Sequence, residues 1–180
     1  MQKRFLTTAA ALGLLVPAAL AGAAQGQAPV GPVSTAQVSN DTDVLYMEVA
    51  TMSNLTEITT SQLALRKSSD AKVRAYAQQM ITEHTRAQAE LNAIAAAKGV
   101  KLADKPGADQ RLLYNRLTTL SGAQFDAAYK NVQLSGHQMT LDLTKAYRTV
   151  AKDQQAAAYA AKIQPAVAMH LEMAKELPGG

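Results

Sequence analysis

The chain has 180 residues, 18 Lys and Arg against 14 Asp and Glu, a formal charge of +4, three His, and neither Cys nor Trp. So small and evenly spread a charge excludes a nucleic-acid footprint, and zero cysteine excludes disulfides, thiolate metal sites and cysteine nucleophiles. The core must be built from Ala, Leu, Met, Val, Ile and Tyr, a composition that suits close-packed helices.

Residues 1–24 read as a secretory signal peptide. Lys3 and Arg4 form a positive region, Leu6 to Leu20 is mostly apolar, and small residues follow at Ala19-Leu20-Ala21 and Gly22-Ala23-Ala24. The apolar run is short for a membrane span and is broken by Pro17. Cleavage leaves roughly 155 residues, enough for one domain with its own core. It also takes the formal charge from +4 to +2 by removing Lys3 and Arg4. The mature chain is expected outside the cytoplasm, periplasmic or secreted, with no transmembrane segment. Residues 25–40, rich in Gly, Pro and Gln and without periodicity, read as a flexible leader.

The domain is expected over 41–177. A first helix starts after Asn40 or Asp41 and runs to about Lys67, with Val44, Met47, Thr51, Leu55, Ile58 and Leu65 as its main stripe. Glu57 falls to one side, on a line with Ala50 and Ala64. That placement fits either a carboxylate close to a neighbouring helix or a solvated surface residue.

The second helix, from the Asp70 cap to Gly99, organises the rest. Val73, Tyr76, Ala77, Met80, His84, Ala87, Leu91, Ile94 and Ala95 share one stripe, while Arg74, Gln78, Thr82 and Arg86 face away. His84 sits in mid-stripe, where a buried imidazole needs a hydrogen-bond or metal partner; Glu83 lies at the stripe's edge. The short Ser68-Ser69-Asp70 link makes an antiparallel hairpin and brings Glu57 within about a turn of His84.

A long connection follows, with a short helix over 109–120 expected to turn Leu112, Leu113, Leu117 and Leu120 inward. Ser121 with Gln124 fits a capping box opening the third long helix. Its stripe reads Phe125, Ala128, Tyr129, Val132, Gly136, Met139, Leu143, Ala146, Tyr147 and Val150. His137 lies off that stripe, facing either a groove between helices or solvent. Asp153 caps the last helix, which runs to about Leu177 with Ala156, Tyr159, Ala160, Ile163, Val167, His170 and Ala174 inside and Pro165 on the outer face.

Four long helices, two short links and one long crossover define an all-α, ferritin-like four-helix bundle: two antiparallel hairpins joined by a crossover carrying a short helix. The stretches LTEITTSQLALRKSSDAKVRAYAQQMITEHTRAQAEL, LSGAQFDAAYKNVQLSGH and MHLEMAKEL resemble the exported bacterial family DUF4142, over about Asp43 to Leu177. The resemblance implies a ferritin-like fold and an envelope location, and no established activity. The positions matching the family's polar pattern are Glu57, Glu83 with His84, Phe125 with Asp126, His137 and His170. The chain departs at Gly136, where the family usually carries an acid before the histidine.

Three functional readings follow. The sequence favours a non-catalytic cell-envelope protein, acting in stress or interaction, in which His84 and His170 bond each other or Glu57 in a polar layer. The alternative is a mononuclear metal site from Glu57, His84, His137 and His170, with Glu83 as a further candidate, taking one divalent transition metal. A di-iron oxidase or peroxidase is remote. That chemistry uses Glu-x-x-His on two helices, and Ile81 and Val167 stand three residues before His84 and His170. No catalytic residue and no protein partner can be named from these motifs.

Overall fold

The computed structural model describes residues 34–179. The expected signal peptide and residues 25–33 of the leader lie outside the described residues. Within the rest of the leader, Thr35–Gln37 forms a 3-10 turn tied to the crossover: Thr35 N–H donates to the Lys101 carbonyl (2.8 Å), and Lys101 N–H donates to Thr35 Oγ1 (2.7 Å).

Among the described residues five α-helices follow: α1 Thr42–Lys67, α2 Ala71–Ala97, α3 Ala108–Thr118, α4 Gly122–Arg148 and α5 Gln154–Lys175. Three of them start at an aspartate whose carboxylate accepts from free N–H groups of the first turn. Asp41 takes Asp43 and Val44, Asp70 takes Lys72 and Val73, and Asp153 takes Ala156. The expected Ser121 cap is not formed. Gly122 adopts φ +55 there, so the chain enters α4 from a left-handed residue and the serine side chain is not set over the helix end.

The architecture is the ferritin-like four-helix bundle. α1 pairs with α2 and α4 with α5 as antiparallel hairpins, α1 also packs on α4, and α2 on α5. The crossover returns the chain to the opposite end, carrying α3 along α1 and α4, so α2 and α4 run parallel. Each end of the bundle has its own apolar core. Leu63, Tyr76, Leu117, Phe125, Tyr129 and Leu177 fill one; Tyr46, Met47, Leu91, Tyr147 and Tyr159 fill the other. Asp43 locks the second end: its carboxylate accepts from Tyr147 Oη–H and from the backbone N–H groups of Lys152 and Asp153, in the α4–α5 turn.

Between these two cores the interior is polar, which decides how α1 and α4 are rotated. α2 and α5 bury the stripes read from their sequences, with Gln88 added on α2 and with Pro165 exposed. On α4 the middle of the stripe is corrected by one residue, about 100° of turn. Gln133, His137, Thr140 and Thr144 are buried, whereas Met139 and Leu143 are 46% and 42% exposed. α3 lies over the α1–α4 seam and partly covers the displaced apolar face, through a groove lined by Leu113, Val132 and Met139. α1 likewise turns Ser53, Asn54, Glu57 and Ser61 inward, while Leu55, Ile58 and Leu65 are only half-buried. On α3 only Leu117 is buried; Leu112 and Leu113 are exposed, because the short helix touches the bundle along a single line.

Candidate metal centre

Four helices each bring one of the expected residues to this polar level: Glu57 from α1, His84 from α2, His137 from α4 and His170 from α5. All four are buried. The three imidazole centroids form a nearly equilateral triangle, with His84–His137 at 5.6 Å, His84–His170 at 5.4 Å and His137–His170 at 5.4 Å. One nitrogen from each ring lies within 4.8 Å of the other two, and this convergent set consists of the three histidines. His137, expected off the apolar stripe, is a full member. The parallel course of α2 and α4 brings it to the level of His84.

Each ring is held by its second nitrogen. His84 donates Nδ1–H to Asn54 Oδ1 at 2.9 Å. The Asn54 amide is fixed in turn, because its Nδ2 donates to Gln88 Oε1 (3.0 Å) and Tyr159 Oη (3.2 Å). His137 donates Nδ1–H to the Gln133 carbonyl one turn earlier, at 3.0 Å. His170 donates Nε2–H to Glu83 Oε2 at 2.8 Å. A carbonyl or carboxylate oxygen only accepts, so these contacts fix three tautomers. The nitrogens left as lone pairs are His84 Nε2, His137 Nε2 and His170 Nδ1, and none of them has a hydrogen-bond partner among the described residues.

Burial dominates the electrostatics. It holds all three imidazoles below their ordinary pKa: His84 well below, with the neighbouring His137 and His170 adding to the effect; His137 to about 4, against the pull of the Gln133 carbonyl; and His170 against the pull of Glu83. The rings are therefore neutral at physiological pH, the state in which imidazole is a ligand. Burial pushes Glu57 up to about 8, and the nearby Gln133 side chain offsets this only in part. Partial burial also raises Glu83, but hydrogen bonds from Gln79 and His170 outweigh it and hold the carboxyl below the usual range.

The two acids stand beside the triangle in different ways. Glu83, at the protein surface, orients His170. Glu57 approaches His137 at Nδ1, 3.7 Å from Oε1, on the nitrogen already given to the Gln133 carbonyl, and its Oε2 has no partner among the described residues. Gly136 makes room for it, since a Cβ there would lie 3.1 Å from Glu57 Oε1. Sequence reasoning missed Asn54 and Gln133 as the anchors of His84 and His137. Asn54 had a legible signal: Ala50, Asn54, Glu57, Ser61 and Ala64 recur at helical spacing, a second face of α1 rich in small and polar residues.

A four-helix bundle with three convergent, neutral, internally anchored imidazoles defines the class: an all-α bundle with a buried three-histidine cluster. The model of the family described as "Domain of unknown function (DUF4142)" matches residues 27–177, and the chain belongs to that family. None of the curated proteins matches the chain. Among solved structures, the chain is similar to CopM in its Ag-bound form obtained by co-crystallization, with 16% identity and a TM-score of 0.61. It is also similar to CopM in its Cu(II)-bound form, with 15% identity and a TM-score of 0.60. Each match covers 74% of this chain and 93% of the CopM chain. At that level of identity the likeness speaks for the fold.

Proposed function

We propose that this chain is an exported metal-binding protein that holds one transition-metal ion, copper in the first place, on His84, His137 and His170. The observation that carries the reading is the pairing of three anchored ring nitrogens with three partnerless ones on the same imidazoles. Metal-ligating histidines typically give their other N–H to a carboxylate, carbonyl or amide, which sets both tautomer and ring orientation. Leaving three buried acceptors unpaired costs about 1–3 kcal/mol each, a cost that coordination would remove.

The donor set is all imidazole, with Glu57 as a nearby carboxylate. Such ligands suit copper, nickel and zinc, and the general affinity order of divalent ions puts Cu(II) first. The similar CopM bundle has been solved with Ag and with Cu(II), which also favours copper. Tetrahedral donors about 2.0–2.1 Å from an ion sit roughly 3.3 Å from one another. Nitrogens within 4.8 Å of each other need only a small inward shift of the rings to reach that spacing.

The polar-layer reading is weaker. It asks for hydrogen bonds between the histidines or with Glu57, and the Glu57–His137 approach, at 3.7 Å, is too long for one. Export is supported by the Lys3/Arg4 region, the apolar run and the small-residue cleavage sites. No helix among the described residues is long and apolar enough to cross a membrane.

Titration of the purified exported protein with Cu(II) tests the reading. One equivalent per chain is expected, and His84→Ala, His137→Ala and His170→Ala should each lower affinity by more than the ~10–100-fold typical of outer-shell changes. Full-strength binding in the variant lacking all three histidines would overturn it. The intact mass of the same sample should place the N-terminus between Gly22 and Gln27.

A further inference from the structure

The lone-pair nitrogens of the histidine triangle are buried, and open space lies close beside two of its rings. A cavity of ≈ 220 Å³ opens between α2 and α5, and His84 and His170 both line it. Its walls there are apolar and small: Ala87 on α2 faces the same space as Ala166 and Val167 on α5. Charged residues at the cavity are Glu83, Arg86, Glu90 and Lys162. Three of these are already engaged, Glu83 with His170 (2.8 Å) and Glu90 with Lys162 (2.6 Å). Arg86 makes no ion pair among the described residues.

We propose that the ion held by the three histidines keeps one coordination position open toward this cavity, and that a small monoanion entering between α2 and α5 fills it. The inference rests on the metal reading above and goes beyond it by naming a second ligand. Three protein donors leave a fourth position, which in such sites takes water or an exogenous ligand. Three neutral imidazoles bring no negative charge to a cation in a buried site, so an anion relieves a real electrostatic cost. Along the route between α2 and α5 the charges of Glu83 and Glu90 balance those of Arg86 and Lys162, so the preference for an anion comes from the ion itself. The apolar walls exclude large hydrated species and suit azide, a halide or a short-chain carboxylate.

Azide is the probe, titrated into the mature protein loaded with one equivalent of Cu(II) and followed by its charge-transfer absorption and by electron paramagnetic resonance. The expected result is a saturable new band that butyrate displaces competitively. Ala166→Leu and Ala87→Leu should each retain one copper per chain yet weaken azide by about tenfold or more, because the added side chain occupies the cavity. Circular dichroism and copper stoichiometry identify any variant that fails to fold, and the other variant then decides. Copper bound normally with no azide response would overturn the open position while leaving the metal site intact. Equal azide affinity in wild type and both cavity variants would show that the anion arrives elsewhere, and also overturns it. A protein that binds no copper at all would instead remove the reading on which the inference stands.

Discussion

His170 on α5 donates its Nε2–H to Oε2 of Glu83 on α2, 2.8 Å across the helix seam, and is left with Nδ1 as a bare lone pair. One surface carboxylate thus sets the tautomer of a buried ring. Glu83→Ala should lower copper affinity by ~10–100-fold while leaving one ion per chain. Competition against a chelator of known affinity measures this, and an unchanged affinity would mean that Glu83 does not position the site.

Metal should stabilise the fold by mass action, about 2.7 kcal/mol when free ion is a hundredfold above Kd. The gain in Tm on adding copper should vanish in His137→Ala as completely as in His84→Ala. A variant at position 137 that kept the gain would place this histidine outside the site.

The metal-free protein should be most stable near pH 6.5. The three histidines have folded-state values below their unfolded one of ~6.5, so the unfolded chain binds more protons as pH falls and stability drops from about pH 6.5 toward 4. Glu57 works in the opposite direction. Its value is raised from 4.5 to about 8, so its contribution is present at low pH and is lost as pH rises through that window. Above pH 6.5 it acts with little opposition, and a shallow decline is expected that Glu57→Gln abolishes. Urea midpoints between pH 4.5 and 8 read both limbs, and a profile flat below pH 6.5 would contradict the buried neutral triad.

Packing variants should separate the true core from the displaced stripe. Leu91 is fully buried, and Leu91→Ala should cost ~2–5 kcal/mol. Leu143, half-exposed on α4, should cost about 1 kcal/mol or less when cut to Ala. Equal losses in denaturant melts would mean that α4 is rotated otherwise.

Asp43→Ala should cost at least ~2 kcal/mol, since it strands the Tyr147 hydroxyl and two backbone N–H groups of the α4–α5 turn. Asp43→Asn, which keeps one acceptor oxygen, should recover part of the loss. If both variants melt with wild type, the turn is held by other contacts.

The helices themselves were legible because their signals are local. Asp41, Asp70 and Asp153 announce three helix starts by offering a carboxylate to free N–H groups. The uninterrupted stripes of α2 and α5 place His84 and His170 inside, and the short Ser68–Asp70 link forces the first hairpin. The inward face of α1 and α4 could not be read in this way. Each carries two competing faces about 100° apart, one more apolar and one more polar, and hydrophobic periodicity always selects the apolar one. Tertiary packing reversed that choice in mid-bundle. α3 took up part of α4's apolar side, while Asn54, Glu57, Gln133 and His137 found one another and the other histidines across the interior. Which nitrogen of each ring is free depends on acceptors 30 or more residues away for His84 and His170. Spacing along one chain carries no record of such partners; only the packed bundle determines them.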